Sequence, residues 1–241
     1  MQFLLNASLA LARLTAPDAG LFRAVVHASQ RGSSIEGASP HRGAPLVSLI
    51  PLFYFATMKT RRKIIVYIAT SADGYIARPD GDVEWLNRRP DKLDYGMGAF
   101  YRTIDTILWG RKTYDWALAY WRKHGRTGGM FDTKVTNYVF SGKPPKQAAP
   151  GMEFVSEPVK KFARRLRSAP GKHIWMMGGG GLISSFLDAN EIDEFDIHVI
   201  PTLIGEGIPL VAPRHRDIEL HLRSARKYPD GVVRLRYRVD R

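Results

Sequence analysis

Four consecutive glycines, Gly178, Gly179, Gly180 and Gly181, separate the apolar run "HIWMM" (173–177) from the amphipathic stretch "LISSFLDAN" (182–190). Glycine inside a strand or helix costs stability, so a quartet at this place needs a reason. A strand that feeds directly into a helix leaves unpaired N–H groups and partial positive charge at the junction, and bare backbone lets an anion approach them. The run therefore reads as a cradle for a diphosphate. It carries no Gly-Lys-Ser/Thr of a Walker loop and not the usual dinucleotide-fold spacing. A plain strand-to-helix turn is the alternative.

The second junction of this kind is "TILWGRKTYD" (106–115). Again a strand ends in glycine, Gly110, and a helix opens with Arg111, Lys112 and Thr113. Two anion-ready junctions on one sheet suit a ligand with several phosphates, Arg111 and Lys112 supplying charge and Thr113 a hydroxyl donor. A solvated helix start is the competing reading. Ser141 and Lys143, after the next strand, would add donors for a further phosphate.

The elements that must position these junctions are legible from periodicity. "KIIVYIA" (63–69) has the continuous apolar character of a strand buried on both faces, and two Asp-Gly turns follow it. Further strands are expected at 105–110, 136–141, 152–155 and 173–177, with a long one over 193–205 interrupted by Pro201. Helical spacing runs through 94–104, where Met97, Phe100, Tyr101 and Ile104 recur. It runs also through 111–121, where Trp116, Leu118 and Tyr120 are expected to pack inward, and through 157–168. Two alternating segments, 218–228 and 231–240, flank Pro229-Asp230-Gly231 and read as a closing hairpin. Strands alternating with helices predict an α/β fold with a mostly parallel central sheet and an antiparallel C-terminal hairpin.

Composition narrows the classes of function. The 241 residues include no cysteine, which excludes disulfides, cysteine nucleophiles and cysteine-ligated metal sites, a zinc deaminase centre of that type among them. The net charge of +13 is spread over several basic clusters, "KTRRK" (59–63) and "KKFARRLR" (160–167) among them, with no nucleic-acid-binding signature. A surface suited to anionic small ligands, without nucleic-acid or membrane partners and in a reducing cytoplasmic setting, is the expectation. The first 57 residues differ from the rest: only Asp18 and Glu36 are acidic, and a Ser/Gly/Pro patch reads as loop. The apolar run at 46–58 is short and broken by Pro51. A secretory signal, a transit peptide and a natural start at Met58 compete, the last being favoured because a domain visibly begins there.

With these residues in place, "YIATSADGYIA", "DTILWGRKTYD", "NYVFS" and "WMMGGGGLISSFL", followed by "DEFDIHVIPTLIGEGIPL", resemble the dihydrofolate reductase superfamily. The branch they resemble most is the C-terminal reductase domain of the bifunctional riboflavin-biosynthesis deaminase-reductase. The likeness runs from about Lys63 to the C-terminus. It implies a three-layer dihydrofolate reductase-like fold over 58–241, NADPH as cofactor, hydride transfer to a small heterocycle, and a homodimer. By the same resemblance, Gly110, Arg111, Lys112 and Thr113 would hold the adenosine side and its 2′-phosphate, with Ser141 beside them. Gly179, Gly180, Gly181 and Leu182 would hold the diphosphate, and Ala69 and Ile76 would line the nicotinamide. Asp94 matches the position of the family's active-site acid, with a helix-capping role as its alternative; Asp73 falls in the "S-x-D-G" loop, with a turn-forming role as its alternative.

The substrate is left open by the residues themselves. Neither the arginine that grips a folate tail nor the Asp-x-Pro-x-Leu-Thr stretch of riboflavin-pathway reductases is found at its expected place. The loops 78–92 and 122–132 are expected to set specificity, with Trp85 and Trp121 as pocket walls. Dihydrofolate reduction, a nucleic-acid-binding module and a cofactor-binding regulator without turnover stand as alternatives.

Overall fold

The computed structural model describes residues 61–87, 93–123, 134–143 and 145–240. The proposed boundary at Met58 and most of the 122–132 loop lie outside them. In chain order the elements are β1 (Ile64–Ser71), β2 (Tyr75–Ala77), α1 (Met97–Tyr101), β3 (Ile104–Gly110), α2 (Arg111–Lys123), β4 (Thr136–Phe140) and β5 (Met152–Val155). There follow α3 (Val159–Ser168), β6 (His173–Gly178), α4 (Gly180–Asp188), β7 (Glu194–Ile200), β8 (Ile208–Pro209), β9 (Leu220–Lys227) and β10 (Val233–Val239).

Eight strands form one sheet in the order β5-β4-β3-β6-β1-β7-β10-β9. The first six are mutually parallel, while β10 pairs antiparallel with both β7 and β9. The apolar run of β1 is continuous because both faces of the sheet are covered. Successive side chains point to opposite sides, so Ile65 and Tyr67 join Met97, Phe100, Trp109 and Tyr114 in one core. Ile64 and Val66 join Phe162, Ile174, Ile183 and Phe186 in the other. Helices α1 and α2 thus cover one face, α3 and α4 the other. Each fully buried Phe or Ile contributes about 1.5–3 kcal/mol relative to leaving it in water.

Three local expectations are corrected. The 193–205 strand stops at Ile200, because Pro201 has no N–H to continue the ladder. The 94–104 helix is trimmed to five residues, since Gly96 at its N-cap has φ +83 and Thr103 already leads into β3. In α2 Trp116 and Leu118 pack against the core as expected, though only partly buried, whereas Tyr120 stacks on Trp116 instead and the fully buried residues are Tyr114 and Ala117. The 229–231 turn forms as expected between β9 and β10, with Gly231 at φ +88. Among the described residues no helix is long and apolar enough to cross a membrane.

One feature of the pairing positions the site. β1 is paired with β6 only at Ile64, Ile65 and Val66, the last opposite Met176, whereas with β7 it stays in register as far as Ser71 opposite Ile200. The sheet therefore parts between β1 and β6 toward their C-terminal ends. Past the last paired residue, the Tyr67 carbonyl accepts a hydrogen bond from the Trp175 indole at 2.9 Å.

Candidate active site

The two glycine junctions meet across β3 and β6, beside this parting. A Cβ on Gly110 would stand 3.1 Å from both the carbonyl oxygen of Gly178 and the nitrogen of Gly179. One on Gly179 would meet the Thr113 hydroxyl at 3.3 Å and the Ile76 side chain at 3.7 Å. The first turn of α2, the first turn of α4 and the short strand β2 thus converge on a single point at the C-terminal edge of the sheet.

Two glycines of the quartet answer a local structural demand, and a third does not. Gly178 has φ +102, a backbone conformation that side chains disfavour. Gly180 lies so close to the segment before β9 that a Cβ would come 2.4 Å from the Pro209 carbonyl oxygen, closer than any real contact. Gly181 has ordinary helical backbone and nothing within 4 Å of its missing Cβ, so neither packing nor conformation demands a glycine there. What it leaves is open space beside the first turn of α4. The amides of Leu182 and Ile183 turn back to the Gly179 carbonyl at 3.0 and 3.1 Å, while those of Gly180 and Gly181 precede any acceptor within the helix. Bare backbone, uncommitted amides and the positive helix end fit a diphosphate.

On the neighbouring turn, Arg111 is held rather than free. Its Nε donates to both carboxylate oxygens of Asp115 at 2.9 and 2.8 Å, one helical turn on, and its Nη1 donates to the Lys143 carbonyl at 2.7 Å. The same Nη1 lies 3.5 Å from Ser141 Oγ, so the loop after β4 is brought beside the start of α2. Lys112 is exposed. Arg111, Lys112, Thr113 and Ser141 are thereby gathered on one side of the glycine contact, with Gly178–Leu182 on the other.

Ala69 is buried on β1 opposite His198 of β7 and belongs to a small cluster with Leu86, Tyr95 and Ile200 at the end of the sheet. Asp94 caps α1: its Oδ1 accepts from the Gly96 amide at 2.8 Å and its Oδ2 from the Gly98 amide at 3.3 Å. The side chain stays exposed, and each oxygen keeps a lone pair. Asp73 is turned elsewhere. Its carboxylate accepts from the amides of Ile204 (3.1 Å) and Gly205 (2.8 Å), tying the β1–β2 turn to the segment that follows β7. The Ser71 hydroxyl, then these backbone amides, hold its pKa below the ordinary carboxylate value. Ala72 to Thr202 (2.8 Å) and Leu210 to Gly74 (3.1 Å) reinforce the tie, which seats Pro209 against Gly180.

Beneath α1 lies a buried polar group absent from the sequence reading. His198 Nε2 is 3.0 Å from the Tyr95 carbonyl and 3.5 Å from the Tyr67 hydroxyl. Burial pushes the imidazole down to about 4 and the Tyr67 phenol well up from its ordinary value. Arg234 clasps Asp196 with two hydrogen bonds at 2.7 and 2.6 Å, and this carboxylate raises the guanidinium further. No local signal marks these contacts: Tyr67 stands 28 positions from Tyr95 and 131 from His198, and Arg234 stands 38 from Asp196.

A three-layer sheet in this strand order, parted between β1 and β6 and bearing glycine turns at the tips of β3 and β6, defines a dihydrofolate reductase-like fold. The chain belongs to the RibD C-terminal domain family, which matches residues 62–234. It is similar to the uncharacterized Bacillus subtilis (strain 168) protein YwjB, 35% identical over 171 residues that make up 71% of this chain and 95% of that protein. A Shewanella sp. PV-4 protein provisionally described as a riboflavin biosynthesis protein superposes with a TM-score of 0.64 at 26% identity, over 74% of this chain and 99% of its own. Dihydrofolate reductase from Enterococcus faecalis, solved with NADP(H) and RAB-propyl, shares the fold with a TM-score of 0.52 at 15% identity, over 74% and 97% of the two chains.

Proposed function

We propose that this chain is an NADPH-dependent reductase that delivers hydride to a small heterocycle of the riboflavin-pathway kind, resembling 5-amino-6-(5-phosphoribosylamino)uracil. The observation that carries this reading is the contact of Gly110 with Gly178 and Gly179 across the tips of β3 and β6, beside the parting of β1 from β6. The relationship to the RibD C-terminal domain family supports it.

When bound, NADPH supplies the hydride; the protein contributes binding, orientation and a shielded setting. Gly178, Gly179, Gly180, Gly181 and Leu182 would hold the diphosphate on the first turn of α4. Gly110, Arg111, Lys112, Thr113 and Ser141 would hold the adenosine side and its 2′-phosphate, Arg111 being already oriented by Asp115. Ala69 and Ile76 would flank the nicotinamide. Asp94, fixed by two backbone amides, would take a substrate N–H or direct a proton to the atom beside the hydride acceptor. Asp73 would shape the covering loop and stay outside the chemistry.

Titration of NADPH into the purified protein tests the reading. Thermal stabilisation and a change in cofactor fluorescence at sub-millimolar concentration are expected, and neither being seen would overturn it. Asp94→Asn is expected to bind NADPH normally while losing most turnover; wild-type turnover would remove Asp94 from the mechanism. The reductase is further proposed to be a cytoplasmic homodimer whose folded domain spans residues 58–241. The edge strand β9, exposed along its whole length with Leu220 and Leu222 among its residues, supports a second copy. Light scattering at the monomer mass would refute the dimer, and mass spectrometry of the native N-terminus tests the Met58 start.

A further inference from the structure

The turn that carries Asp94 is held from inside the protein. Two successive residues in it are left-handed, Tyr95 at φ +50 and Gly96 at φ +83. Glycine takes such a conformation freely; an aromatic residue keeps it only where its surroundings fix it. Asn190 is the other non-glycine residue with positive φ among those described, and asparagine tolerates it. At Tyr95 the phenol donates to Asp230 Oδ2 in the β9–β10 turn at 2.5 Å, and the ring meets Tyr228 edge-on at a centroid distance of 5.1 Å. At Gly96 a Cβ would overlap the Arg234 guanidinium, which Asp196 holds in place.

The peptide unit between these two residues links the core to the surface. It is planar and trans, so the Tyr95 carbonyl and the Gly96 N–H point in opposite directions from one rigid plane. The carbonyl faces inward, where it accepts from the Tyr67 hydroxyl at 3.2 Å and from His198 Nε2 at 3.0 Å. A carbonyl only accepts, so that ring nitrogen carries the proton. Both donors are buried. The N–H faces outward and meets Asp94 Oδ1 at 2.8 Å, on a side chain that is exposed. Hydrogen bonds accepted by the carbonyl also polarise the amide and make its N–H a better donor.

We propose that His198 and Tyr67 are positioning residues for Asp94: by fixing the carbonyl of the Tyr95–Gly96 peptide they aim its N–H at the carboxylate. Neither is required to touch substrate or cofactor; both act through one rigid plane. Rotation of that plane would carry the N–H off Oδ1 and leave the Gly98 amide, at 3.3 Å, as the remaining backbone donor to Asp94. The inference rests on the reductase reading for the use made of Asp94, and extends it from the carboxylate to the groups that hold its direction.

The test follows the Gly96 amide proton by NMR during an acid titration of the folded protein. Its chemical shift should step as the Asp94 carboxylate is protonated. Asp94→Asn should abolish the step, which assigns it to that carboxylate and not to Asp230 or Asp196, bonded to Tyr95 and Arg234. His198→Leu loses the donor, and its step is expected to shrink to about half or less of the wild-type size. His198→Gln, whose amide nitrogen can again donate, should restore it. Tyr67→Phe keeps the ring stacked on Phe100 at 4.2 Å and removes only the hydroxyl; it should shrink the step too, and it carries the test if the leucine variant does not fold. Lost packing alone would lower global stability and leave the step intact. With 5-amino-6-(5-phosphoribosylamino)uracil, NADPH turnover should fall about tenfold where the step shrinks, the factor of one hydrogen bond, while NADPH affinity stays within about twofold of wild type. A full-sized step in every folded variant that lacks a donor would overturn the proposal. So would a step that persists in Asp94→Asn, a wild type without one, or unaltered turnover beside a diminished step. A wild type that fails to bind NADPH, or to oxidise it with this uracil, would instead overturn the reductase reading. The amide step needs neither cofactor nor substrate, so the two failures are told apart.

Discussion

At the edge of the sheet where β1, β3, β6 and β7 begin, two arginines are almost wholly buried; at the edge where these strands end, side chains give way to bare backbone. Arg62, 6% exposed, donates to the carbonyls of Lys172 (2.7 Å) and Leu166 (3.1 Å), to the Thr106 hydroxyl (2.8 Å) and to Asp105. Arg167 bridges Glu191 (3.2 Å) and Asp193 (2.7 Å) and donates to the Arg62 carbonyl at 2.6 Å. The charges are paired and the donors used, so this edge is built to stay as it is. At the opposite edge, the Gly110–Gly178 contact and the open flank of Gly181 leave amides uncommitted. One edge closes the fold; the other keeps a surface on which a ligand can complete the hydrogen bonding.

The difference can be broken at its strongest point first. Arg62→Ala removes the buried partner of Asp105 and leaves two carbonyls without this donor, and is expected to cost about 1–3 kcal/mol of stability. Chemical denaturation measures it. The folded fraction should keep its affinity for NADPH, because no atom of Arg62 lies at the glycine edge. A variant as stable as wild type would show that the lower edge is not the lock.

Acid should sharpen the contrast next. His198 is held neutral by burial, with a pKa of about 4 against 6.5 when exposed. The unfolded chain takes up a proton as pH falls below 6.5 and the folded chain does not, so stability is full above 6.5 and declines towards pH 4. Asp196 and Arg234, the charged groups facing the ring, act in opposite directions, so desolvation sets the sign. The loss over this window is about 3 kcal/mol. His198→Asn should flatten the profile between pH 4 and 6.5, and an unchanged slope would refute the assignment.

Gly181→Ala separates the edges most cleanly, although its effect is smaller. Its missing Cβ points into open space and its φ is ordinary, so alanine is expected to raise stability by about 0.4–1 kcal/mol through the unfolded state. The same methyl group stands where a diphosphate would lie, and NADPH affinity should fall by about tenfold, 1.4 kcal/mol. A rise in stability with unaltered affinity would remove the quartet from the cofactor site.

The smallest effect is expected at the clamp over the site. Asp73→Asn weakens the acceptor that holds the Ile204 and Gly205 amides, and these two should exchange with solvent faster while global stability barely changes. Because the carboxylate titrates below its ordinary value, exchange in the wild type should rise on acidification past that point. Protection that is indifferent to both changes would mean that other contacts fasten the loop.

Much of this arrangement was open to the sequence, and its limits fall at a definite place. The "KIIVYIA" strand, the helix after Gly110, the 229–231 turn and the glycine quartet were legible because each depends on periodicity or on a backbone preference within a few residues. The quartet was legible as a candidate anion cradle for the same reason, since a strand end meeting a helix start presents bare backbone amides. Arg62 was not: within "KTRRK" it looks like one more surface cation, and only Asp105, 43 positions on, and Lys172, 110 positions on, bury it. Asp73 and Asp94 were recognisable as carboxylates in the right stretches. Which of them is taken up by a loop 131 residues away, and which stays exposed at a helix cap, could not be read locally.

The amino-acid sequence alone therefore determined the alternation of strands and helices, the two glycine turns and the closing hairpin, since these follow from short-range sterics and the spacing of apolar side chains. Tertiary structure alone decided that β6 inserts between β3 and β1, that the sheet parts beyond Val66, and that the glycine turns touch. Strand order is fixed by burying both faces of the sheet at once. That condition couples residues a hundred positions apart and leaves no mark on any one stretch of the chain.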